Sequence, residues 1–183
     1  IRLPETVRSV GREAFADSAD LRAIDLADVS EVGKDAFRGT AFENKYAELW
    51  KSGEFSGVIY TGKVAYKYMS SDSSSKLMSK GTKLVLENST TGISESLFDN
   101  SYVDMDSCRS NLRSVYIPAD TSFIPSGIFR GFKGSGSGVG IYGIRESYAS
   151  DYAAEQDISF TALNKKDSYA QGNMDHYWYD DPV

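Results

Sequence analysis

The sequence predicts a β-rich α/β repeat solenoid with a helix-plus-hairpin insertion and a C-terminal cap. Three observations predict it. One ordered series of apolar and small residues recurs through the chain, the recurrence breaks between residues 43 and 83, and the pattern changes again after residue 139. Repeats come first because a fixed series of this kind decides the architecture before any single element does.

The series starts at the first residue. Ile1-Arg2-Leu3-Pro4 aligns with Ile24-Asp25-Leu26-Ala27 at an offset of 23 residues. Val10-Gly11 then matches Val32-Gly33, and Ala14-Phe15 matches Ala36-Phe37, at an offset of 22. Looser copies run through Leu84, Leu86, Ile93, Leu97 and Phe98 and, 31 residues later, through Val115, Ile117, Ile124, Ile128 and Phe129. Apolar residues at alternate positions at the head of each copy predict short strands facing one interior. The later Phe closes that interior from the opposite wall, so Phe15, Phe37, Phe98 and Phe129 are candidate core residues. A unit this small cannot cover its own apolar face, and neighbours must stack and share strand hydrogen bonds. The expected domain is 1–163, with copies at about 1–23, 24–42, 84–111 and 112–138, an insertion at 43–83 and a cap at 139–163.

At these residues the chain resembles a known family. Leu3-Pro4, Val10-Gly11, Ala14-Phe15 and Leu21, then Leu112, Val115, Ile117-Pro118, Ile124 and Phe129, resemble BspA-type leucine-rich repeats in the order of their landmarks. Trp50 followed by Gly57 to Tyr68, and Ile141-Tyr142-Gly143 followed by Tyr148, Tyr152 and Ile158 to Phe160, are similar to interruptions and endings of bacterial members. The chain departs from the pattern with Ala27 and Glu87 at the Pro position and Ser94 and Pro125 at the Gly position. The resemblance implies a right-handed superhelix of short parallel strands. It further implies an exported bacterial protein, extracellular or at the cell surface, that serves adhesion or protein recognition and has no enzymatic activity. A host extracellular-matrix or other surface protein is the partner class implied, and no particular ligand transfers with a fold. Because the chain opens on Ile1 inside the repeating pattern, it is expected to be a piece of a longer precursor.

In the insertion, Tyr46, Leu49 and Trp50 share one helical face in a segment of good helix formers, which predicts a short helix. Val64, Tyr66 and Tyr68 then alternate with Lys63, Ala65 and Lys67, a strand that Thr61-Gly62 joins to Val58–Tyr60 as a hairpin. Two readings of it stand. Either the hairpin is a binding knob of aromatics and cations, with Trp50, Tyr60, Tyr66 and Tyr68 as the ligand-binding candidates, or it packs on the solenoid flank and extends its sheet. The Ser70 to Ser75 run is too polar to offset its ordering entropy and predicts a mobile loop.

Asp99, Asp104 and Asp106 lie in the longer third copy, but without an Asp-x-Asp-x-Asp-Gly loop and closing Glu they predict a solvated acidic loop rather than a calcium site. Cys108 has no evident partner and is expected to be half-buried. The glycine run at 134–143 contains a formal G-x-G-x-x-G at Gly138, Gly140 and Gly143, yet it overlaps an apolar strand at Val139–Ile141 and reads as a connector. Ser147 is a good N-cap for a helix carrying Tyr148 with Tyr152 and Ala149 with Ala153, and Ile158 and Phe160 alternate in a closing strand. Such an end hides the last apolar face and edge.

The tail, 164–183, ends in Asp175-His176-Tyr177-Trp178-Tyr179-Asp180-Asp181. Aromatic faces among carboxylates can stack on sugar rings and accept their hydroxyls, so Tyr177, Trp178 and Tyr179 support an alternative function, a carbohydrate-binding accessory module. The same cluster also suits folding back on the cap or anchoring to a neighbour.

Composition narrows the remaining classes. A net charge of −6 and a pI near 4.9 argue against nucleic acid, which needs a concentrated basic surface. One Cys and one His provide neither an intrachain disulfide nor a Cys/His zinc site. No run approaches the ~18 apolar residues of a membrane span, so no direct membrane insertion is expected. Neither a nucleophile–base pair nor a phosphate loop stands out, and no cofactor, metal or catalytic residue is expected. Counting alone leaves a carboxylate-pair glycosidase open among 26 acidic residues.

Overall fold

Backbone pairing between successive copies of the series organises the fold. The structure is a computed structural model that describes residues 1–26, 28–132 and 138–163. Its elements are β1 (Ser9–Val10), β2 (Glu31–Val32), α1 (Ala41–Lys51), β3 (Gly57–Thr61), β4 (Val64–Met69), β5 (Thr82–Val85) and β6 (Gly92–Ile93). They continue with α2 (Met105–Asn111), β7 (Leu112–Tyr116), β8 (Gly140–Gly143), α3 (Tyr148–Glu155) and β9 (Ser159–Ala162).

Four strands form a parallel sheet in the order β5-β7-β8-β9. Its register lines up Leu84, Val115, Ile141 and Phe160 in one row, and these face the largest core. The adjacent row, Val85, Tyr116, Tyr142 and Thr161, faces the other way by the two-residue period of a strand. There Tyr116 and Tyr142 stack at 4.6 Å.

The opposite wall is built from shorter pairings. β1 pairs in parallel with β2, and Arg2 bridges Asp25 in the same sense. β3 and β4 form the expected antiparallel hairpin, and β4 also pairs in parallel with β6 through Val64 with Gly92 and Ala65 with Ile93. Gly92 in turn bridges Phe123 of the fourth copy. No other residue fits at Gly92 without rearrangement, because a Cβ there would lie 1.8 Å from the Ser30 carbonyl oxygen.

Inside, a line of aromatic rings links the copies. Phe15 stacks on Phe37 at 5.6 Å, and Phe37 meets Tyr66 edge-on at 5.5 Å. Tyr68 lies 6.5 Å from Phe98, Phe98 lies 6.0 Å from Phe129, and Phe129 lies 6.2 Å from Tyr152 of α3. Tyrosines of the insertion thus occupy the stretch between the second and third Phe of the series. Phe37, Phe98 and Phe129 are buried, whereas Phe15, at the outer end of the line, is half-buried, and Ile1, expected inside, is exposed.

All six residues of β4 are buried. Val64 and Tyr66 belong to the core holding Val10, Leu26, Val32 and Phe37, while Ala65 and Tyr68 belong to the core of Leu86, Ile93, Phe98 and Val115.

The helices start where their caps dictate. The hydroxyl oxygen of Thr40 accepts from the Glu43 N–H at the head of α1, and the Ser147 side chain begins α3 in a capping box with Ser150. Asp104 accepts from the Ser107 N–H, so the segment expected to be a solvated acidic loop instead carries the helix α2. The Ser70 to Ser75 run likewise folds into a hydrogen-bonded turn. Asp72 accepts from the backbone N–H groups of Ser74 and Ser75, and Ser70 is fully buried. The polar side chains supply locally the hydrogen bonds that reward ordering a segment with so little apolar surface.

Candidate functional site

The sequence-selected aromatics of the insertion are drawn inward. Trp50 is buried on α1 beside Ala47 and Glu43, and its indole N–H donates to the Ser70 carbonyl at 2.8 Å. Tyr66 is fully buried, and its hydroxyl oxygen accepts from the Phe37 N–H at 3.0 Å. Tyr68 is buried against Phe98, and Tyr60, half-buried, accepts the Glu87 N–H at 2.8 Å. The exposed knob of aromatics is therefore corrected. β4 has a core on each side, and Trp50, Tyr66 and Tyr68 pack the interior rather than present rings to a ligand.

Where β4 and α1 meet, charged groups are buried with those rings. Lys67 Nζ lies 2.9 Å from Glu43 Oε1 and 3.1 Å from Asp35 Oδ1. The Tyr102 hydroxyl donates to Glu43 Oε1 at 3.0 Å, and the Tyr66 hydroxyl lies 3.5 Å from Glu43 Oε2. Burial, reinforced by the Glu43 carboxylate, pushes the Tyr66 and Tyr102 hydroxyls well above the ordinary tyrosine range.

A surface cleft forms elsewhere, on the turns that follow β2, β6 and residue Phe123. It has a volume of about 620 Å³ and a floor of Phe98, Met105, Ile128 and Phe132. Its rim carries Lys34, Glu95, Asp99, Arg109 and Arg130. Lys34 pairs with Asp99 across the second and third copies, and Arg109 pairs with Asp106 at 3.3 Å. Glu95 and Arg130 make no ion pair among the described residues. An apolar floor bounded by groups of both signs can bury one apolar side chain of a peptide and pair its charged neighbours.

Sequence reasoning missed this cleft because its walls come from turns of different copies. A signal did exist. The residue after the recurring Phe is Ala16, Arg38, Asp99 and Arg130 in the four copies, so a charge follows Phe in all but the first.

The remaining candidates are placed as follows. Asp99, Asp104 and Asp106 are divided between Lys34, the N-cap of α2 and Arg109, and no group of three or more possible metal ligands occurs among the described residues. Cys108, expected to be half-buried, is fully buried, and that burial, with Asp104 nearby, pushes its thiol up to about 12. No helix among the described residues is long and apolar enough to cross a membrane. Tyr177, Trp178 and Tyr179, with the glycine run at 134–137, lie outside the described residues. Comparison with family models, with curated proteins and with solved structures finds no match to this chain.

Proposed function

We propose that the chain is a leucine-rich-repeat solenoid of the BspA-like kind, acting as a non-catalytic recognition module of a bacterial surface or secreted protein. Its partner is a protein, and the cleft over Phe98, Ile128 and Phe132 is its contact site. The observation that carries this reading is the pairing of an apolar floor with Glu95 and Arg130, which have no ion-pair partners among the described residues. Such a surface gains from a partner that covers the rings and answers both charges. The row from Leu84 to Phe160 and the ring series from Phe15 to Tyr152 support the repeat architecture behind it.

The test is surface plasmon resonance of the purified 183 residues against extracellular-matrix proteins and glycans, with Arg130→Glu and Glu95→Lys variants. Saturable binding to a protein, weakened about tenfold or more by either charge reversal, is expected. Protein binding indifferent to both reversals would remove the cleft from the interface. Binding to glycans alone, lost on cutting the chain at Asn164, would replace this reading with the carbohydrate module.

A further inference from the structure

Three elements of the fold converge on one ammonium group. Lys67 comes from β4, Glu43 from α1 and Asp35 from the turn after β2. The side chains of Lys67 and Glu43 are 2% and 3% exposed, and that of Asp35 is 22% exposed. Two carboxylates around one cation leave a negative charge over, and taking these charges out of water carries a large desolvation cost. A reaction that consumes one positive and one negative charge would relieve it.

We propose that Lys67 and Asp35 condense into an intramolecular isopeptide bond, with Glu43 carrying the protons. The inference is independent of what the cleft binds. Glu43 Oε1, 2.9 Å from Nζ, takes a proton from the ammonium and passes it to the Asp35 carboxylate, leaving a neutral amine beside a neutral acid. The Nζ lone pair then attacks Asp35 Cγ, and the Nζ–Cγ bond forms. Glu43 moves a second proton from nitrogen to the departing hydroxyl, the Cγ–O bond breaks, and water leaves. In sum, one ammonium and one carboxylate give one amide and one water; nothing is oxidised or reduced, and Glu43 ends as it began.

The geometry separates the two carboxylates by role. The Tyr102 hydroxyl, 3.0 Å from Glu43 Oε1, and the Tyr66 hydroxyl, 3.5 Å from Oε2, fix that carboxylate beside Nζ, where it is placed to carry protons. Asp35 receives neither tyrosine, and its partial exposure gives the released water a way out. The rings of Tyr66 and Tyr102 lie 5.1 and 5.8 Å from Nζ and help to exclude solvent from the reacting groups. Nζ is already 3.1 Å from Asp35 Oδ1, so the two reacting groups are held side by side before attack. Afterwards a single negative charge remains on Glu43, with both tyrosine hydroxyls and the new amide N–H to share it.

Intact-mass spectrometry of the purified chain, incubated at neutral pH, tests this. The expected mass is lower than that of the sequence by one water, and proteolysis should yield a branched peptide joining Lys67 to Asp35. Lys67→Arg, which keeps the cation, and Glu43→Gln, checked for folding by circular dichroism, should both show the full mass and linear peptides. A full-mass wild-type chain with linear Lys67 and Asp35 peptides would overturn the proposal. So would a branch joining Lys67 to Glu43, and bond formation in Glu43→Gln at the wild-type rate would overturn the role given to Glu43.

Discussion

The first two copies of the series place an acid at the same point of the same turn, and the two acids meet opposite fates. Glu13 and Asp35 each precede the Ala-Phe pair, and each has φ of 55°, in the left-handed region. The turns are joined to each other by the Glu13 N–H to Lys34 carbonyl and Phe15 N–H to Ala36 carbonyl hydrogen bonds. Yet Glu13 is exposed and pairs with the exposed Arg12 at 3.4 Å, a contact that contributes little, whereas Asp35 faces the buried Lys67. The recurring series fixes the backbone of a turn, and the neighbour on its open side decides the chemistry. For the first copy that neighbour is the second copy, and for the second it is the insertion.

The contrast should appear most strongly in the rings. Phe37, fully buried between Phe15, Phe42 and Tyr66, should cost ~3 to 5 kcal/mol when replaced by Ala, and the half-buried Phe15 about half as much. Urea unfolding of both variants measures the difference, and equal losses would mean that the outer end of the ring line is as enclosed as its middle. The glycines should differ by less. A Cβ on Gly33 would meet the Arg12 backbone nitrogen at 2.5 Å, while one on Gly11 meets nothing within 4 Å. Gly33→Ala is therefore expected to destabilise by about 1 to 3 kcal/mol and Gly11→Ala by less than 1 kcal/mol. Thermal unfolding of the pair would break the comparison if the order reversed.

The smallest effect is in alkaline solution and, of the two copies compared, falls on the second copy's side. Tyr66 and Tyr102 are raised above the ordinary tyrosine value of 10.0, chiefly by burial and next by Glu43. The unfolded chain therefore loses these protons before the folded one does. The stability they contribute is complete below about pH 10 and falls as pH rises beyond it toward the folded-state values. Tyr66→Phe and Tyr102→Phe should flatten the fall in melting temperature above that pH, and an unchanged slope in both would show that other groups control it.

Much of this was legible from residue order. Strand positions such as Leu84, Val115 and Ile141, the capped helix after Ser147 and the hairpin around Gly62 all follow from local periods and turn chemistry that act over a few residues. The environment of β4 was not legible. Alternating Val64, Tyr66 and Tyr68 with Ala65 and Lys67 reads as one dry and one wet face, because a lysine on a strand is ordinarily solvated. Lys67 is dry only because Asp35 and Glu43 reach it from other elements, and no local pattern records such a meeting. The cleft escaped for a related reason, since Glu95 and Arg130 face each other's neighbourhood only after two turns have been laid side by side.

Strand β4 also bears on how the molecule comes apart. A repeat array ordinarily melts or stretches unit by unit, each boundary being a place where the next unit can let go. Here residues of one strand are committed to different cores, Val64 and Tyr66 to one and Ala65 and Tyr68 to another. Peeling away the amino-terminal copies exposes the strand that roofs the remainder, so the break cannot stop there. Under heat or tension the described residues on both sides of β4 should yield as one cooperative unit, and slow amide exchange should be concentrated along that strand.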